Sequence, residues 1–427
     1  MLNIIKNFLN KNFNYILIIS VILLCFYRSP HIFLNGRFLA EEGSFWFSNS
    51  YSLGPIYGLF QMYFGTQYFN LWANLSSVIA SFFPLNFAPL ATVYLAFLVQ
   101  AYLYFYIVFG NSEFLKSKKD KLIGILIVLV SPPMVPGVWL ATNLSQIYFT
   151  LITILIFFNE DDNNNFFNKL EPYILLIGGL SSVLVCILSP FFYLKYKKKN
   201  SKKNLYNLIF ITIATLPQFI LFIYIKFSGL EILSDGPRYI LSFDKFINFC
   251  YNVIAKSVFG RELTQLFINN LELLQNYSYI LIVLLFVVFI FMKTTLKLIK
   301  QDNIFKYLFL FFILNCILAF IGAKFEEVQG RYAVIPGVLF LFCIYRFSQI
   351  SNGFLKIFSV FFILISILTG IYEFKNNNIQ RSLLICGNGC PNWNEEIIKW
   401  ERDEDYPLKI WQYPIKNMNL KKRLDIN

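Results

Sequence analysis

Apolar runs alternate with short polar loops along this chain, and the lysines gather in every second loop. Runs at 14–34, 87–109, 121–138, 147–158, 204–226, 278–292, 304–321, 332–346 and 354–372 read as helices, several of them long enough for a hydrocarbon core about 30 Å thick. Residues 35–86 break this pattern. Gly54-Pro55, Gly58, Gly65 and Pro84 interrupt them, and Phe45, Trp46, Tyr51, Tyr57, Phe60 and Trp72 supply the aromatic content expected of helices lying in the membrane interface.

Sidedness follows from the cations. With Lys6 and Lys11 in the cytoplasm, span one delivers Glu41-Glu42 to the outside, and the blocks around Lys116–Lys121, Lys293–Lys300 and Arg346–Lys356 fall inside. One run resists this threading. If 172–194 were a single span, six lysines between 195 and 203 would lie outside. Gly178-Gly179 and Ser181-Ser182 offer a break, so two short helices that turn back are expected there. Counting that hairpin as two gives about 11 crossings. The organisation expected is a transmembrane domain over 1–372, with external loops at 35–86 and 227–277, and an extracytoplasmic tail over 373–427. Within the tail, Glu395-Glu396-Ile397-Ile398-Lys399-Trp400 reads as a short amphipathic helix.

Composition agrees with the pattern. Of 427 residues 57% are hydrophobic and 14% charged, a balance soluble domains do not reach. The fold class expected is therefore an all-α polytopic membrane protein. The net charge of +13 would suit nucleic acid, but its lysines occupy the loops where orientation signals belong, so no nucleic-acid partner is expected. The basic start followed by an apolar run is signal-like. No small-x-small cleavage site follows, which favours an uncleaved first helix. Five cysteines fall in or near apolar runs. Cys386 and Cys390 bracket a polar loop and would close a disulfide if the tail is extracytoplasmic.

Adjacent carboxylates beside lipid need a task, a partner or a metal. Glu41 and Glu42 are the candidate catalytic acids, one as base and Glu42 as an optional ligand for a divalent metal. Arg331, between Gly330 and Tyr332 at the mouth of a span, is the first choice for binding a phosphate, with Arg238 and Lys324 behind it. Arg37 is placed to pair with the acids, and His31 is read as a structural hydrogen-bonder. No Gly-x-Gly-x-x-Gly run opens a helix and no P-loop occurs, which argues against a nucleotide-sugar donor or an ATP-driven pump.

An acidic motif on the first external loop resembles the GT-C superfamily of polytopic glycosyltransferases. The chain also resembles a set of bacterial membrane proteins of unassigned role. That likeness rests on Ala40-Glu41-Glu42-Gly43, Tyr63-Phe64-Gly65, Trp139…Asn143…Gln146, Ser189-Pro190, Arg331-Tyr332 and Trp393…Trp400…Trp411, with Glu42 where aspartate is usual. The resemblance implies a GT-C-like bundle in the cytoplasmic membrane. It implies transfer of a sugar from a polyprenyl-phosphate donor to a glycan, lipid or protein acceptor at the outer face, with Trp139, Gln146 and Tyr332 in support. A flippase or transporter of lipid-linked glycan, an O-antigen-type polymerase or ligase, and a scaffold without activity remain as alternatives.

Overall fold

A computed structural model of the chain describes residues 11–63, 68–160, 166–228, 242–273, 295–323, 330–376, 384, 391–411 and 416–421. The protein is all-α apart from one small hairpin, strands Leu408–Ile410 and Lys416–Met418. Its long apolar helices are those of a multi-pass membrane bundle. Five among the described residues are long and apolar enough to cross a bilayer: Ala88–Phe109, Lys202–Ile225, Asn303–Gly322, Gly330–Ile350 and Gly353–Phe374.

Among the described residues five such helices stand where about 11 crossings were expected, and part of the difference is local chemistry. The first run splits at Ser29-Pro30 into Phe13–Arg28 and Pro30–Asn35. The run at 121–138 forms a helix, Lys118–Leu129, that stops where Ser131-Pro132-Pro133 removes backbone donors. The fourth run folds as Ser145–Phe157. Helices of 12–16 residues reach only about 18–24 Å. The expected span at 278–292 lies outside the described residues. The stretch expected to form the first external loop does contain short helices, Ser48–Leu53, Pro55–Phe60 and Leu71–Ser81, preceded by a π-helical turn at Glu42–Phe47.

The chain divides into two compact units. One comprises residues 1–121, 136–235 and 377–427, the other 122–135 and 236–376.

In the first unit the run at 172–194 is a hairpin, as the lysine block requires. Helix Phe166–Ser181 gives way at Ser182 to Val183–Cys186 and then Ser189–Lys198. The first arm runs alongside Lys202–Ser228: Glu171 meets Asn207 at 2.9 Å and Lys203 at 3.2 Å, while Gly179 packs on Ala214 and its carbonyl accepts from Gln218 at 3.1 Å. The second arm returns to the starting level. Lys195 Nζ there donates to the carbonyls of Phe157 at 2.7 Å and Asn159 at 3.0 Å. Glu171 is fully buried and also accepts from Tyr106 at 2.7 Å and from Asn159. The lysines therefore cluster at the Phe109 end of the Ala88–Phe109 helix. The acidic loop lies at its Ala88 end, about 33 Å away by helical rise.

In the second unit Asn303–Gly322 packs on Val334–Ile350, which packs on Gly353–Asn376. Asp302 caps the first of these and pairs with Arg346 at 2.6 Å. Gly370 approaches the backbone of Val130 so closely that a methyl group would not fit, which fixes one contact on the last helix. Glu373 caps a break at Gly260 (φ 72°), accepting the N–H groups of Arg261 and Glu262.

Candidate functional site

Backbone that most residues avoid builds the acidic loop. Gly36 has φ 70°, and a Cβ there would lie 2.5 Å from the backbone nitrogen of Leu90. Only glycine suits both conditions. Ala40 follows at φ 50°, a left-handed conformation that costs an alanine about 1–2 kcal/mol. The tail holds it there: Ala40 N–H donates to the Trp411 carbonyl at 3.0 Å, and Leu39 pairs with Trp411 in a short parallel bridge.

The two glutamates have different surroundings. Glu42 is completely buried. Its Oε1 accepts from the Thr142 N–H at 2.8 Å and from the Thr142 hydroxyl, and its Oε2 accepts from the Leu39 N–H at 3.2 Å. Arg37, also buried, donates from Nη2 to the Trp139 carbonyl at 2.7 Å. Residues 37–42 are thus stitched to residues 139–142 at two points. Burial pushes the Glu42 carboxyl above its usual range, with the Thr142 and Leu39 donors and the Arg37 charge pulling the other way. Burial likewise lowers the Arg37 guanidinium to about 10, against the pull of Glu42.

Glu41 points elsewhere. Its Oε1 meets Lys416 Nζ at 2.8 Å, and its side chain remains 27% exposed. Of the pair it is the carboxylate that a substrate can reach. Glu42 does not fit a divalent-metal site, because N–H and O–H donors hold both oxygens and a guanidinium stands nearby. Among the described residues no three His, Cys, Asp or Glu side chains converge as metal ligands.

The tail supplies the other wall. Helix Trp393–Arg402, its start capped by Asn392, packs Ile397 and Trp400 into a small core with Phe38, Phe47, Leu408, Ile410 and Met418. The charged side of that helix carries Glu396, which accepts from Lys399 at 2.6 Å, Tyr406 at 2.9 Å and the Lys409 N–H at 2.9 Å. Trp393 Nε1 donates to the Leu85 carbonyl at 2.9 Å. Between tail and loop lies a cavity of about 580 Å³, walled by Arg37, Phe38, Trp393 and Trp411, with His31 and Lys409 at its exposed margin. His31 stacks on Trp411 at 6.0 Å, and the Arg37 guanidinium lies 5.4 Å from the same ring.

Other expected residues fall as follows. Trp139 is buried, its Nε1 donating to Ser29 at 2.8 Å beneath the Arg28 guanidinium, 4.5 Å from its ring. Gln146 is half-buried in the first turn of Ser145–Phe157, and the Asn143 carbonyl accepts from Asn70 at 3.0 Å. Arg331 and Tyr332 belong to the second unit. Arg331 is exposed on the turn Gly330–Ala333, 5.4 Å from the Tyr332 ring. Arg238, Lys324, Cys386 and Cys390 lie outside the described residues.

Three contributors went unnoticed in the sequence: Thr142, Lys409 and Lys416. Thr142 sits inside the Trp139…Asn143…Gln146 run, which was its only signal. The two lysines had none: Lys416 meets Glu41 from 375 positions away, and Lys409 shares its cavity with residues near position 37. A scan against protein-family models, a search of curated proteins and a search of solved structures each returned no match.

Proposed function

We propose that this protein is a membrane glycosyltransferase that moves a sugar from a polyprenyl-phosphate donor to a glycan, lipid-linked or protein acceptor. It acts at the outer face of the cytoplasmic membrane, with the lysine-bearing end of the first unit inside. Glu41 is the general base. The observation that carries this is a partly open carboxylate, steadied by Lys416, on a strained loop three residues from the wall of an aromatic and cationic cavity.

The chemistry follows from those surroundings. Glu41 Oε1, 2.8 Å from Lys416 Nζ and partly exposed, is placed to take the proton of an acceptor hydroxyl. Arg37 and Glu42 hold the loop's shape from below and touch no reacting atom in this scheme. The leaving phosphate needs a cation as its charge grows.

The decisive assay uses purified protein in proteoliposomes with a radiolabelled polyprenyl-phosphate hexose and membrane glycan acceptors. Glu41→Gln should abolish transfer while the protein remains folded. Transfer at the wild-type rate in that variant would end the proposal. One observation favours a second reading, transport of a lipid-linked glycan: the Glu171–Lys203 pair buried in the first unit. Loss of lipid-sugar translocation in Glu171→Gln, with Glu41→Gln unaffected, would select it.

A further inference from the structure

The cavity between the tail and the acidic loop has a chemistry of its own. Its volume of about 580 Å³ is within the range of small-molecule sites. Lys409 brings an exposed positive charge to its lining, the buried Arg37 stands behind with its guanidinium on the Trp139 carbonyl, and among the described residues no carboxylate lines the cavity. The half-buried Trp393 offers flat apolar surface, and Trp411, buried, stacked by His31 and fixed by the backbone bridge to Leu39, forms part of the wall. Asn35 and Asn394 add exposed amides at the margin, where both donors and acceptors for hydroxyls are available.

Each part answers to one feature of a single ligand class. Indole faces suit the C–H face of a pyranose, as they suit other flat amphipathic groups. Amides suit its hydroxyls. An exposed ammonium suits a negative charge. An apolar ligand would make no use of Lys409, and a bare inorganic anion would make no use of Trp393. We propose that this cavity binds a sugar residue carrying a negative charge, held against Trp393 with its carboxylate or phosphate toward Lys409.

This inference stands on the cavity and does not require Glu41 to be a base. Under the glycosyltransferase reading the occupant would be an acidic residue of the acceptor glycan or the sugar phosphate of the donor. The shared chemistry is an anionic pyranose, and the probes separate the two sources.

The test is equilibrium binding to the full-length protein in nanodiscs, followed by tryptophan fluorescence and calorimetry. The probes are glucuronic acid, glucose 1-phosphate, glucose and inorganic phosphate. At least one of the two acidic sugars should bind about tenfold or more tightly than glucose and inorganic phosphate. Preference for glucuronic acid assigns the site to an acidic acceptor residue, and preference for glucose 1-phosphate assigns it to a sugar phosphate. Lys409 is exposed and its structural bond uses only the backbone, so Lys409→Ala should fold normally. It should weaken the acidic sugar by about tenfold and leave glucose unchanged. Lys198→Ala, at the opposite end of the unit, is the charge control and should change nothing.

Equal binding of glucose and the acidic sugars, no binding of any probe, or indifference to Lys409→Ala would each overturn the inference. Running the same titration in Glu41→Gln keeps the two ideas apart. Binding that persists there alongside unchanged transfer would sink the enzyme proposal and leave this one standing.

Discussion

Replacing Glu42 by glutamine separates a structural acid from a chemical one. The substitution keeps the shape of the side chain but turns one oxygen into an NH2 group. Three donors now face Glu42: the Thr142 N–H, the Thr142 hydroxyl and the Leu39 N–H. The hydroxyl can rotate to accept. The two backbone N–H groups approach different oxygens and cannot rotate, so one of them must confront the new amide. A buried donor left without an acceptor costs about 1–3 kcal/mol. The buried Arg37 also loses a nearby opposite charge, a loss of about 3–5 kcal/mol when it breaks a direct pair. Arg37 keeps its bond to the Trp139 carbonyl, so only a part of that applies. The sum is about 2–4 kcal/mol, which lowers the melting temperature of a chain this long by about 2–5 °C. Thermal unfolding in detergent, read by tryptophan fluorescence, measures it. Glu41→Gln should differ: its partner is half-exposed, so the loss stays below about 1 kcal/mol and the melting temperature holds. A Glu42→Gln protein that melts like wild type but has lost transfer would refute this reasoning and make Glu42 the chemical residue.

Other outcomes follow from the same geometry. Gly36→Ala should destabilise the protein by about 1–3 kcal/mol, since the methyl group meets the Leu90 backbone at a positive φ; an unchanged melting temperature would contradict the close approach. Glu396 is buried, which opposes ionisation, but hydrogen bonds from Lys399, the Lys409 N–H and Tyr406 outweigh this and hold its carboxyl below the usual range. A depressed folded value stabilises the docked tail above the unfolded value near 4.5, and that contribution disappears as pH falls through the folded value. Hydrogen exchange across 393–411 should therefore rise below about pH 4.5 in wild type. Glu396→Gln should lose that pH dependence, and an identical acid response in the variant would exclude Glu396 as its source. Glu171→Gln should lower stability by about 2–3 kcal/mol, because the buried Lys203 loses its counter-charge and keeps only its bond to the Glu160 carbonyl; a melt shows this directly.

Much of the helical frame was legible from hydrophobic runs. Ala88–Phe109, Asn303–Gly322 and Gly353–Asn376 fall within a few residues of their expected bounds, because each is uniformly apolar and ends at polar residues. The hairpin in 166–198 was legible for another reason: lysines at 195–203 could not be placed otherwise, and Ser181-Ser182 marked the turn. The number of crossings was not legible. Proline and serine pairs shorten helices by amounts that hydropathy does not register, as the stop at Leu129 illustrates. In the site, the importance of Glu41-Glu42 could be read from two charges beside lipid, but their division of labour could not. Glu42 is bound by a threonine 100 positions away and Glu41 by a lysine 375 positions away, and no local period encodes such pairs. The amphipathic helix of the tail was visible in its own spacing, whereas the strand-like seam of Trp411 on Leu39 exists only once the tail has docked.

Sidedness underlies the whole account: the acidic loop with its docked tail must open on the face opposite the lysines. Single cysteines placed by Asn394→Cys and Lys198→Cys, in a background with the native cysteines replaced, test this with a membrane-impermeant maleimide on intact cells. The account predicts labelling at position 394 without permeabilisation and at position 198 only after it. Labelling of both from the same side would contradict it.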